Sequence, residues 1–167
     1  MKEKILEAFD RLGIELRYIE AFEAYYFVEL DTNFLLVYDE SHEGVLKIEV
    51  PNVINCENYS TSQIYGVMER INSRYPFLKA FVSTFVSMDC VYLSYERKLM
   101  PSDKDLDVVI LWMILNLEQG CHFAHSILDE LVKASSDESD AKPETNGQKI
   151  HVRYKNHQFH ISPIHSK

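Results

Sequence analysis

The stretch GCHFAHSILDELVK, from Gly120 to Lys133, gathers a thiol, two imidazoles three residues apart and the carboxylates of Asp129 and Glu130. On a helix, histidines at i and i+3 with a carboxylate four residues beyond the second can share one cation, which makes His122, His125 and Asp129 candidate metal ligands. The HExxH arrangement is absent, and a structural zinc site would need ligands from elsewhere in the chain. At 100 degrees per residue from Leu117, Cys121 falls within the apolar stripe beside Ala124 and Leu128. Glu118, His122, His125 and Asp129 form a polar strip next to it. The expectation is therefore a core cysteine, no resident metal, and two ordinary i, i+4 pairs, Glu118 with His122 and His125 with Asp129. A metal-binding protein or metal-dependent enzyme built on this strip is the alternative.

Other chemistry-bearing residues do not group into a signature. His151, His157, His160 and His165 crowd the C-terminal tail, where His151 and His160 could be cross-strand neighbours and bind a transition metal weakly. Exposed strand positions explain them equally well. DTNFLLVYDESHE, residues 31 to 43, gathers acids, but its sixth position is Leu36 where a calcium-binding EF-hand loop needs glycine. The five glycines are scattered, so no phosphate-cradling loop is formed, and there is no GxSxG elbow. Glu96-Arg97 reads as a surface ion pair. These absences point away from an enzyme and from a cofactor.

The chain of 167 residues is the size of one domain, long enough to bury a core without a staple. Cys56, Cys90 and Cys121 are odd in number, widely spaced and form no CxxC, which fits a reducing cytoplasm rather than a secreted disulfide framework. The N-terminus, MKEKILEAFDRL, has no apolar run like that of a signal peptide. The longest apolar run, Val108 to Leu115, is far short of the roughly 20 residues that span a bilayer, and reads as a buried helix. Net charge is −9, and the last 19 residues, with Lys149, Arg153, Lys155 and Lys167, contain no acid. The acidic excess thus lies wholly in the body, which should repel nucleic acid.

The elements that must position these residues are legible from periodicity. Ile5, Leu6, Phe9 and Leu12 recur at helical spacing, with Gly13 placed to cap the end. Strand-like runs follow at 14 to 20, 24 to 30, 33 to 39 and 44 to 50, with spacers short enough for an antiparallel meander. Ser60 stands three residues before Gln63, a capping-box spacing, and opens a second helix with Ile64, Val67, Met68 and Ile71 on one face. Runs 77 to 87 and 90 to 97 predict a hairpin turning at Met88-Asp89. The longest helix opens near Pro101 to Asp103, with Leu106, Ile110, Met113, Leu117, Cys121, Ala124, Leu128 and Leu131 as its packing stripe. Residues 133 to 149 carry no large apolar side chain and read as a flexible acidic and polar linker. Residues 150 to 167 read as a basic tail forming a β-hairpin. The fold class is α+β, an antiparallel sheet with helices in the order α-βββ(β)-α-ββ-α, with residues 1 to 132 as its single domain.

AYYFVELDTNFLLVYDE, INSRYPFLKAFVSTFVSMDCVYLSYERKL and the amphipathic helix from Asp105 to Val132 resemble the YbjN-like family of bacterial sensory transduction regulators, of type III secretion chaperone-like fold. Asn72-Ser73, Lys79, Val82 and Val91 to Arg97 carry the likeness most strongly. The resemblance implies a compact, often paired α+β domain that binds proteins or acts in regulation and has no catalytic motif. Apart from it, strands 24 to 28 and 77 to 87 are apolar on both faces, more than two short helices and a long one need cover. Tyr25, Phe27, Phe81 and Phe85 are the candidate partner-binding residues. The expected partner is a protein or a second copy of the chain, most simply in a homodimer, with neither nucleic acid nor membrane involved.

Overall fold

The computed structural model describes residues 1–39, 44–100 and 102–139, and the short strands at 153–154 and 157–158. Helix α1 (Lys2–Arg11) ends where Gly13 takes a positive φ of 71°, and the Ile14 N–H reaches back to the Phe9 carbonyl, closing the helix as the sequence predicts. A meander follows: β1 (Arg17–Ile19), a 3-10 turn (Glu20–Phe22), β2 (Ala24–Glu29), β3 (Thr32–Asp39) and β4 (Val45–Asn55). Helix α2 (Thr61–Arg74) opens with the full capping box, Ser60 and Gln63 each satisfying the other's backbone N–H. The hairpin of β5 (Leu78–Phe85) and β6 (Met88–Lys98) then leads to the long α3 (Leu106–Ser139). Strands β7 (Arg153–Tyr154) and β8 (His157–Gln158) pair with each other, as expected of the tail. The rest of that expected hairpin lies outside the described residues.

The six main strands form one antiparallel sheet in the order β1-β2-β3-β4-β6-β5. The protein is thus of the α+β class with the expected order of elements. Strand alternation gives each face its own set of residues. Phe27, Phe34, Leu36, Leu46, Ile48, Leu93 and Leu78 lie on the face that the helices cover, and all are buried. Helix α3 crosses this face with α1 on one side and α2 on the other. Its predicted stripe is the one that packs: Leu106, Ile110, Met113, Leu117, Ala124 and Leu128 are buried, and Cys121 and Leu131 nearly so. Gly120 sets how closely the helix lies, since a Cβ there would stand 2.8 Å from Leu78 Cδ1 and 3.0 Å from Leu93 Cδ1.

Two boundaries differ from the sequence reading. The β5–β6 turn is at Val86-Ser87, with Phe85 opposite Met88, and not at Met88-Asp89. Both turn residues have positive φ, 48° and 69°, a conformation that Val and Ser favour poorly, so the turn is fixed by register. Placing Leu78 and Ala80 in the core opposite Tyr95 and Leu93 leaves no other pairing. Helix α3 also continues past Lys133 into the stretch read as linker, where the Ser135 and Ser136 hydroxyls donate to the Leu131 and Val132 carbonyls.

Strand β5 is a sheet edge, and α2 reaches it with a side chain. The Ala80 N–H donates to Asn72 Oδ1 at 2.7 Å, and Asn72 Nδ2 donates to the Ala80 carbonyl at 3.1 Å. One amide thus stands in for a neighbouring strand. Asn72→Ala leaves both backbone groups without that partner and is expected to lower stability by about 1–3 kcal/mol in urea unfolding, with Asn72→Asp intermediate because it keeps the acceptor. An unchanged urea midpoint in Asn72→Ala would show that the bridge contributes nothing.

Candidate functional site

Among the described residues, the outward side of α3 carries an apolar stripe with no element packed against it. Val108, Leu111, Trp112 and Leu115 recur at i, i+3, i+4 and i+7, on the side of the helix opposite the packing stripe. Val108 is 64% and Trp112 58% exposed, with Leu111 and Leu115 near 40% each, at 42% and 41%. The run Val108 to Leu115, read in sequence as a buried helix, is thus buried on one side only. Val109, Ile110, Met113 and Ile114 pack inward, and the other four face out. Asn116, buried just below them, spends its amide on the Trp112 carbonyl at 2.7 Å, an i→i−4 contact that removes its polarity from the patch. The outward side then turns polar, through Gln119, His122 and Ser126, all exposed.

The His/acid strip lies along this polar continuation. His122, His125 and Asp129 are all exposed, and His122 Nε2 stands 3.9 Å from Glu118 Oε1, a loose i, i+4 contact on the surface. Among the described residues no group of three or more His, Cys, Asp or Glu side chains is placed to hold a metal ion. Of the tail histidines, His157 falls on β8, and His151, His160 and His165 lie outside the described residues. Glu96 pairs with Lys79 at 2.6 Å and Arg97 with Asp103 at 3.6 Å, so the two neighbours do not act together.

The four aromatic candidates are dispersed. Phe27 is only 1% exposed, in edge contact with Phe9 at 5.1 Å and stacked on Phe34 at 5.0 Å. It belongs to the core, because β2 alternation turns it toward α1, and it offers no surface to a partner. Tyr25 packs half-buried against Tyr18, under the Lys2 ammonium 5.8 Å from its ring centre. Phe81 stacks on Tyr92 at 5.5 Å and lines an open groove between β5 and α2, shared with Tyr65, Met68 and Val82. Phe85 stacks on Phe22 on the helix-free side of the sheet. Of the four, Phe27 alone is enclosed in the core, because alternation along a strand does not say which face is covered. The signal that would have found the α3 patch is an apolar run too wide for a single packing stripe.

Cysteines 56, 90 and 121 are free thiols. Burial, with the Glu118 carboxylate beside it, pushes the Cys121 thiol up to about 12 from its ordinary 9.0. Cys121 is therefore a neutral packing group. Its folded pKa is the higher one, so the stability it contributes is fully present below pH 9 and is lost as pH rises toward 12, by up to about 1.4 kcal/mol per pH unit. Urea unfolding of wild type and Cys121→Ala across this range is expected to show their stability difference constant below pH 9 and shrinking above it. A difference that stays flat to pH 11 would contradict a buried neutral thiol.

Among the described residues no helix is long and apolar enough to cross a membrane. No protein-family model matches the chain, and no curated protein matches it in sequence. Among solved structures it is similar to YbjN from E. coli, described as "a putative transcription regulator", with a TM-score of 0.54 over 79% of this chain and 92% of that one, at 10% identity. At that identity the likeness is one of fold, and the fold of this chain is YbjN-like.

Proposed function

We propose that this chain is a non-enzymatic protein-binding module with a regulatory role, working in the cytoplasm and pairing with a second copy of itself through the outward side of α3. The observation that carries the reading is the stripe of Val108, Leu111, Trp112 and Leu115, exposed on a helix whose opposite side is fully packed. Apolar side chains at i, i+3, i+4 and i+7 form the seam that one helix offers another. The seam is self-complementary: two helices crossing antiparallel about a two-fold axis bring Val108 of each copy toward Leu115 of the other, with Leu111 and Trp112 at the axis. A large aromatic at the centre of a patch is the usual anchor of a protein interface. The regulatory part of the reading draws on the fold shared with YbjN, and the cytoplasmic part on three unpaired thiols.

Sedimentation equilibrium tests the pairing. The wild-type chain is expected to be dimeric at micromolar concentration. Leu111→Glu and Trp112→Glu should each weaken association by roughly 30-fold, the worth of one anchor of about 2 kcal/mol, with unchanged far-UV dichroism because both positions face outward. A wild-type chain that stays monomeric at about 100 μM, far above the working range of a specific homodimer, would sink the proposal.

A further inference from the structure

We infer that the helix-free side of the sheet holds a binding site for a small monocarboxylate with an aromatic or branched aliphatic body, with Arg17 as its counter-ion. The sheet curls strongly. Strands β1 and β5 are its opposite edges, yet Phe22, just after β1, stacks on Phe85 at the end of β5 with ring centres 6.1 Å apart and planes within 17°. Below this pair lies a concave cavity of about 780 Å³, within the size range of small-ligand sites. Ile19, Leu35 and Pro51 line its walls with the two rings. Each ring stands next to a tight turn: Glu23 (φ 48°) ends the 3-10 turn after Phe22, and Val86 (φ 48°) begins the β5–β6 turn after Phe85.

The polar lining chooses the charge. Arg17 lies across the β1–β2 pair from Tyr26, itself opposite Leu35, so all three side chains share the cavity face. Its guanidinium makes no ion pair or hydrogen bond among the described residues, unlike Arg11, Arg70 and Arg97, each of which meets a carboxylate. The Tyr26 hydroxyl donates to Asn33 Oδ1 at 2.6 Å, which engages the amide oxygen and leaves the Asn33 NH2 as a second donor in the lining. A fork of donors above apolar walls suits a carboxylate on an apolar body. Glu20 is the acid of the lining. Together with a net charge of −9 it disfavours phosphates and other multiply charged anions, leaving a single negative charge as the better match.

The test is a two-dimensional NMR titration of the full chain with phenylacetate, using phenethylamine as the charge-reversed control. Phenylacetate is expected to give saturable shifts at Arg17, Ile19, Asn33, Leu35 and Phe85 with a Kd below about 10 mM, as a ligand of that size allows. The amine should give none. Arg17→Gln, at an exposed unpaired position that folding does not need, should weaken phenylacetate about ten-fold or more, and Phe85→Ala should weaken it while leaving the Arg17 resonance in place. No saturable shift with phenylacetate, an equal response to the amine, or wild-type affinity in Arg17→Gln would each overturn the proposal. None of these outcomes depends on the pairing of α3.

Discussion

One contact organises the molecule, the burial of a single sheet face beneath α3. Ile110, Met113, Ile114 and Leu117 remove their side chains wholly from water. Each fully buried aliphatic side chain of this kind stabilises by about 1.5–3 kcal/mol. Gly120 lets the helix axis come close over Leu78 and Leu93, so that a ridge of large side chains before it and Ala124 after it can both reach the sheet. Helices α1 and α2 are held at the flanks of α3 and close the same face, through Phe9 on Phe27 and through Asn72 on the β5 edge. With all three helices on one side, two surfaces are left over. These are the outward side of α3 and the concave back of the sheet.

Where local chemistry decides an element, the sequence was a good guide. The Ser60/Gln63 capping box, the glycine closure at Gly13 and the eight-residue packing stripe of α3 all follow from spacing alone, because each is settled within a turn or two of helix. The misreadings occur where distant strands decide. The turn at Val86-Ser87 has poor turn residues and is imposed by the register of Leu78 and Ala80 against β6. Likewise, nothing local to Phe22 or Phe85 says that opposite edges of a six-stranded sheet curl until the two rings stack. The burial of Phe27 is likewise not legible locally, since period-two alternation separates two faces without saying which one the helices cover. The inward half of Val108 to Leu115 was evident, but its outward half needed the neighbours of α3 to be known.

The His/acid strip takes its meaning from its place on α3. It continues the outward side beyond Leu115, where Gln119, His122 and Ser126 replace aliphatic side chains, and it confines the apolar seam to the first turns of the helix. A short seam bounded by polar residues favours one register of association over sliding contact. Cys121, one residue from the exposed His122 and four from the exposed His125, belongs instead to the packed side, and its raised thiol pKa reflects that burial. The residues that first look like a metal box therefore divide between a core and a surface.

Trp112 is the only tryptophan in the sequence and sits at the centre of the seam, so its emission reports directly on the surface in question. The most direct measurement is the emission maximum of the intact chain over a dilution series from tens of micromolar to nanomolar. Pairing through α3 is expected to give a blue-shifted maximum at high concentration that moves to that of a water-exposed indole along a single dimer isotherm. An exposed-indole spectrum that does not change with concentration would contradict the account.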